Sequence, residues 1–180
     1  MKRFALPVLV GLAAALALSS CDKAPLNVPL RDFSISVDAT ANTLGKVVYP
    51  WDAAQFAETK VGVKTITLSG KMTAHYTSLT GDALEMTFYA RTQQPDDQSG
   101  CTAVQGIAWV CETTQEKKIS RSYTFTNGET QAIELGVQNP DVLASGLNQG
   151  YLWIGAEVTS GVATNVRFDF TDMVAHVSLF

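Results

Sequence analysis

Few side chains in this sequence can do chemistry, and none stands in a familiar catalytic arrangement. There are two histidines, His75 and His176, and no H-E-x-x-H, G-x-S-x-G or Walker-type loop accompanies them. Cys101 and Cys111 lack the C-x-x-C spacing of a redox or zinc pair, and no histidine lies close to them. Asp96-Asp97 sits in the polar loop Gln93–Gly100, which is oxygen-rich but lacks the ligand spacing of a calcium loop, so it reads as a solvated turn. Carboxylates for glycoside hydrolysis need only meet in space, and the sequence singles out no pair. The expectation is therefore no catalytic residue, no metal and no cofactor. One ligand face can be drawn. Lys71 and His75 share the polar side of one predicted strand, Tyr89 and Arg91 that of another. Were those strands neighbours, the four would form a shallow face for glycan or protein. Trp51, Trp109 and Trp153 read mainly as core.

The elements that must position these residues have a period of two, the mark of half-buried strands. Phe33, Ile35 and Val37 alternate with polar residues, as do Ile66, Leu68, Gly70, Met72, Ala74 and Tyr76. Leu84, Met86, Phe88 and Ala90 follow, then Ile119, Tyr123 and Phe125, then Ile133, Leu135 and Val137. Tyr151 to Val158 is apolar on both faces, which places it centrally in a sheet. Near the C-terminus Val166, Phe168 and Phe170 fall on even positions, but Met173, Ala175, Val177 and Leu179 on odd ones. That phase change predicts a bulge or bend at Thr171-Asp172, as where one strand bends between two sheets.

Between Phe125 and Ile133, a three-residue turn Thr126-Asn127-Gly128 with Gly128 left-handed keeps the two apolar faces together. It predicts a hairpin opposing Tyr123 to Gln131. Cys101 and Cys111 flank a second hairpin with Gln105-Gly106 near its tip. Asn139-Pro140 reads as an N-cap with proline in the first turn of a short helix that stops at Gly150. Asp52 to Thr59 reads as another helical turn, and residues 39–60 otherwise show no clear strand. The sum is an all-β fold, an antiparallel β-sandwich of jelly-roll or immunoglobulin-like topology, with an up-and-down barrel as the alternative.

The N-terminus has a different logic. Lys2 and Arg3 precede an apolar run from Phe4 to Leu18, the plan of a secretory signal peptide. Leu18-Ser19-Ser20-Cys21 at its end resembles the lipobox of bacterial lipoproteins: aliphatic, small, small, cysteine. The resemblance covers only these first 21 residues. It implies that residues 1–20 are removed and that Cys21 receives a diacylglycerol thioether, with palmitate or a similar acyl chain on the new amine. Residues 21–30 then form a lipidated tether and residues 31–180 a single domain. Asp22 resembles the inner-membrane retention signal of enterobacterial lipoproteins. With Cys21 carrying lipid, Cys101 and Cys111 are left as a disulfide pair in an oxidising compartment.

Charge excludes one partner class. The net charge is −4, and removal of Lys2 and Arg3 makes it −6, unsuited to nucleic acid. The expected protein is a non-enzymatic lipoprotein of the cell envelope, held to the membrane by lipid. Its domain would bind an envelope protein or glycan, or serve as an accessory subunit. A carboxylate-based envelope hydrolase and a metal carrier are the alternatives.

Overall fold

The computed structural model describes residues 26–39, 43–55, 62–79, 81, 83–104 and 107–179. The expectations for residues 1–25, including the lipobox, and for the Gln105-Gly106 hairpin tip lie outside these described residues. Two antiparallel sheets pack face to face as an all-β sandwich. The first runs β1 (Leu26–Pro29), β13 (Ala163–Leu179), β5 (Val63–Ser78) and β11 (Thr130–Leu135), with β2 (Phe33–Ala39) also on β13. The second runs β10 (Tyr123–Phe125), β6 (Leu84–Arg91), β12 (Tyr151–Ser160), β3 (Lys46–Pro50), β8 (Ala108–Glu112) and β7 (Cys101–Val104), with β4 (Ala54–Gln55) on β12 and β9 (Lys117–Lys118) on β6. Consecutive strands such as β5 (Val63–Ser78) and β6 (Leu84–Arg91) enter opposite sheets. That alternation rules out the up-and-down barrel, in which sequence neighbours pair.

The first sheet is built on its two long strands, β5 and β13 (Ala163–Leu179), paired over nearly their whole length. The predicted irregularity is present: the register shifts between Thr171 and Val174, and Asp172 has φ +54°. β13 nevertheless stays in one sheet and does not bend into the other. Its partner β5 keeps Ile66, Leu68, Met72, Ala74 and Tyr76 inward throughout, so the bulge absorbs the phase change of β13 alone. Gly70 of β5 makes room for it, because a Cβ there would strike the Met173 side chain and approach its Cα within 3.0 Å.

The domain starts earlier than the sequence implied. Leu26–Pro29, assigned above to the tether, is β1, and it pairs with the C-terminal half of β13 (Leu26↔Val177, Pro29↔Val174). β2 (Phe33–Ala39) continues along β13 in the same register, with Phe33 opposite Phe170. The two are one edge interrupted at residues 30–32, beside the bulge, where Leu30 N–H donates to Met173 O at 2.8 Å. The Leu26-x-Val28-x-Leu30 alternation was the available signal; Pro29 obscured it, though an edge strand tolerates proline.

In the second sheet, β12 (Tyr151–Ser160) lies between β6 and β3, central as its two apolar faces require. β3 (Lys46–Pro50) falls where no strand was expected, and Val47, Val48 and Tyr49 are all buried. Ala54–Gln55 is a short strand, β4, not the start of a helical turn; residues 56–59 of that turn lie outside the described residues. β7 (Cys101–Val104) and β8 (Ala108–Glu112) form the predicted hairpin, with Cys101 opposite Cys111 and joined to it (S–S 2.03 Å).

The Thr126–Gly128 turn has its left-handed Gly128 (φ +79°) but closes no hairpin. β10 (Tyr123–Phe125) pairs with β6, and β11 (Thr130–Leu135) with β5, so the turn carries the chain between sheets. Tyr123 therefore faces Met86, not Gln131. From β11 the chain returns to β12 through the helix α1, Pro140–Gln149, which ends at a left-handed Gly150. Asn139 is not a side-chain N-cap: it is itself left-handed (φ +49°), and its amide donates to Lys118 O at 2.9 Å.

Between the sheets lies the main core. Phe88 of β6 meets Phe168 and Phe170 of β13 edge-on, at ring separations of 6.3 and 5.8 Å. A smaller core on the outer side of the second sheet gathers Val47, Tyr49, Tyr89, Trp109, Trp153 and the disulfide.

Candidate functional site

The face drawn from sequence does not assemble. Lys71 and His75 stand on β5 in the first sheet, Tyr89 and Arg91 on β6 in the second. All four sit on the non-core side of their strands, so the two pairs point away from each other across the sandwich. On the first sheet each group has a local partner. Lys71 pairs with Asp172 at 2.9 Å, and His75 Nε2 lies 3.3 Å from Asp169. His176 is held between Ser69 Oγ (2.7 Å) and Asn27 Oδ1 (2.8 Å), stitching β5, β13 and β1.

Asp169 is the hub of this surface. The Ser34 hydroxyl donates to it at 2.5 Å and the Arg167 guanidinium at 2.7 Å, and both hold its carboxyl below the ordinary carboxylate range, Ser34 most. A carboxyl depressed on folding contributes stability above its unfolded value of about 3.9. That contribution is lost as pH falls through the lower folded value. Ser34→Ala is expected to move the Asp169 titration upward, toward the ordinary value, in a carboxyl-carbon NMR titration. An unmoved midpoint would show that the hydroxyl does not hold the carboxylate.

Tyr89 and Arg91 belong to a buried polar cluster on the second sheet. Arg91 Nη1 lies 3.2 Å from Glu116 Oε1, and Tyr49 Oη donates to Glu116 Oε2 at 2.6 Å. Tyr89 Oη donates to Glu157 at 2.6 Å. Burial, then the neighbouring carboxylates, pushes both phenols far above the ordinary tyrosine range, so they act as donors and not as bases. The Arg91 guanidinium also lies 3.0 Å from Cys101 Sγ. Cys101, Cys111 and Glu116 bring their ligand atoms within 4.8 Å of one another, but sulfurs bonded to each other offer no thiolate to a metal. The cluster ties the β7–β8 hairpin to the sheet. Replacing both Cys101 and Cys111 by serine is expected to cost about 2–3 kcal/mol, read as a lower urea midpoint with unchanged slope.

The acidic loop is accounted for by its own turn. Asp96 accepts from Ser99 N–H at 2.7 Å and caps the 3-10 turn Asp97–Ser99. The Ser99 hydroxyl, and after it the Ser99 N–H, hold its carboxyl below the ordinary range. It is a capped turn, in keeping with the solvated reading.

What the sequence missed is a cavity of about 460 Å³ inside one edge of the sandwich. Ile66 and Leu68 of β5 and Ala175 and Val177 of β13 form one wall. Leu152 and Ile154 of β12, with Leu143 and Leu147 of α1, form the other. The helix keeps its place through Asn148, whose side chain bonds both the N–H and C=O of Val63 (3.1 and 3.0 Å), and through Gly146, which packs on Leu152. Leu26 and Val28 of β1, with Leu30, complete the lining and are exposed to solvent. Every lining residue among those described is Leu, Ile, Val or Ala. The volume lies in the range of small-molecule sites, roughly 300–1,000 Å³. A cavity without polar partners does not hold ordered water. Its walls come from five separate elements, and no local sequence signal announces such a space.

Fold and cavity together define an all-β sandwich enclosing an apolar pocket. No protein-family model matches the chain, and no curated protein matches it. Among solved structures it is similar to chains from infectious bursal disease virus. The Gx-strain structure matches at 13% identity and a TM-score of 0.39, over 85% of this chain and 33% of that one. The Gt-strain structure matches at 14% identity and a TM-score of 0.37, over 86% of this chain and 33% of that one. This chain thus spans about a third of the viral chains it matches.

Proposed function

We propose that this protein is a lipoprotein anchored in a bacterial cell envelope through acylated Cys21. Its sandwich is a non-catalytic binding domain, acting alone or as an accessory subunit of an envelope complex. The observation that carries the binding half is the cavity: a preformed space lined only by hydrocarbon, suited to hold a ligand and unsuited to transform one. The anchoring half rests on the lipobox resemblance. With β1 starting at Leu26, only residues 22–25 separate Cys21 from the first strand, so the domain cannot stand as far from the bilayer as a tether through residue 30 would allow.

Mass spectrometry of the N-terminal peptide tests the anchor, with Cys21→Ala as control. A diacylated Cys21 in the wild type supports it; an unmodified Cys21 in its native host overturns it. A pull-down of the solubilised protein then tests for an envelope partner.

A second reading, glycan binding, has one observation behind it. Trp51 stacks on Trp109 at 4.8 Å, and Tyr151 packs edge-on against Trp153, all on the outer side of the second sheet. The indole N–H groups of Trp109 and Trp153 are themselves buried and have no hydrogen-bond partner among the described residues. Quenching of tryptophan fluorescence by oligosaccharides would favour this reading.

A further inference from the structure

We infer that the cavity is a binding site for the acyl part of a non-covalently held lipid, whose polar head stays outside at the β1 edge. The inference deepens the binding-domain reading and rests on it, but it does not depend on acylation of Cys21.

The lining selects hydrocarbon. Among the described residues no side chain facing the cavity carries a nitrogen or oxygen, so a peptide entering it would bring amide groups that find no partner there. A sugar would fare worse for the same reason. From Val63 to Leu68 the lining runs about 16 Å along β5 at ~3.3 Å per residue, a length along which an acyl chain can lie extended.

The entrance selects a lipid with a head group. Leu26 and Val28 line the cavity yet remain 49% and 45% exposed, and Leu30 36%. Three apolar residues in alternation, two on the edge strand β1 and Leu30 just beyond it, leave water-facing hydrocarbon at the mouth, which the upper part of an acyl chain would cover. Beside them, Asn27 and His176 present polar atoms on the outer face of the same strands, hydrogen-bonded to each other at 2.8 Å. A head group leaving the mouth therefore meets a polar surface.

The test uses the full-length chain in isolated membranes, as wild type and as Cys21→Ala. The probe is a palmitate analogue with a diazirine in mid-chain, and labelled peptides are mapped by mass spectrometry. The expected result is label on the peptides containing β1, the first half of β5 and α1 in both forms, removed by excess palmitate. Ala175→Phe fills the cavity from the β13 wall and is expected to reduce labelling about tenfold. Leu26→Asp alters only the exposed rim and leaves the core packing alone, so it serves if Ala175→Phe fails to fold. It too is expected to reduce labelling about tenfold.

Label scattered over the surface, or unaffected by both variants, overturns the inference. So does a wild type that refuses the probe while Cys21→Ala accepts it, because the covalent acyl chain would then be the occupant. Cross-links to residues 4–18 or to a second copy overturn it equally, naming a segment of the chain as occupant. If labelling persists as expected but Cys21 carries no lipid, the anchor fails and the acyl site stands.

Discussion

Arg91→Met is expected to destabilise the fold by about 3–5 kcal/mol, the range for removing one partner of a buried ion pair. The side chains of Arg91 and Glu116 are 14% and 2% exposed, so the Glu116 carboxylate has little access to water once its cation is gone. The Tyr49 hydroxyl would remain as a donor, but one neutral hydrogen bond does not replace a guanidinium. Methionine fills similar space, so the loss measures unpaired charge and not a void. Arg91→Met with Glu116→Leu should therefore be more stable than Arg91→Met alone, although Tyr49 Oη then lacks its acceptor at about 1–3 kcal/mol. Adding Tyr49→Phe removes that orphan and should recover part of the difference. Urea titrations of the four proteins decide the matter. A single variant within ~1 kcal/mol of wild type would mean that water reaches Glu116, contrary to its burial.

Phe88→Ala should cost a comparable 3–5 kcal/mol or so, by the cavity it opens between the sheets. Phe88 is the aromatic contact of β6 with both Phe168 and Phe170, and Phe170 in turn stacks on Phe33 at 4.5 Å. Truncation removes two edge-to-face contacts, each contributing roughly 0.5–1.5 kcal/mol beyond area. Phe88→Leu keeps most of the volume and should lose less than half as much. Equal losses for the two substitutions would show that volume is not what holds the sheets together here. Neither change touches the lipid cavity, so palmitate labelling of the folded fraction should persist.

Strand identity was largely legible because burial on one face imposes alternation, which β5, β6, β11 and β13 carry, while β12 showed as a longer run apolar on both faces. The bulge at Thr171-Asp172 was legible for the same reason, since an extra residue must invert the alternation. Three features were not. β3 escaped because Val47, Val48 and Tyr49 are buried on both faces, so no alternation remains to read. The Asn127-Gly128 turn has the local chemistry of a hairpin, yet nothing local states whether the following strand pairs with its neighbour or crosses to the other sheet. β1 was hidden by prolines that also suit an extended tether.

The candidate site divides along the same line. The cysteine pairing was implied by the lipobox resemblance, which sets Cys21 apart, and the absence of any catalytic motif follows from residue types and spacing, which are properties of the chain itself. The scattering of Lys71, His75, Tyr89 and Arg91 to opposite sides depends on which sheet each strand joins. So does the apolar cavity between β1, β5, β12, β13 and α1. Sheet membership is settled by long-range packing between segments tens of residues to more than a hundred apart, where alternation says which face is buried but never against what.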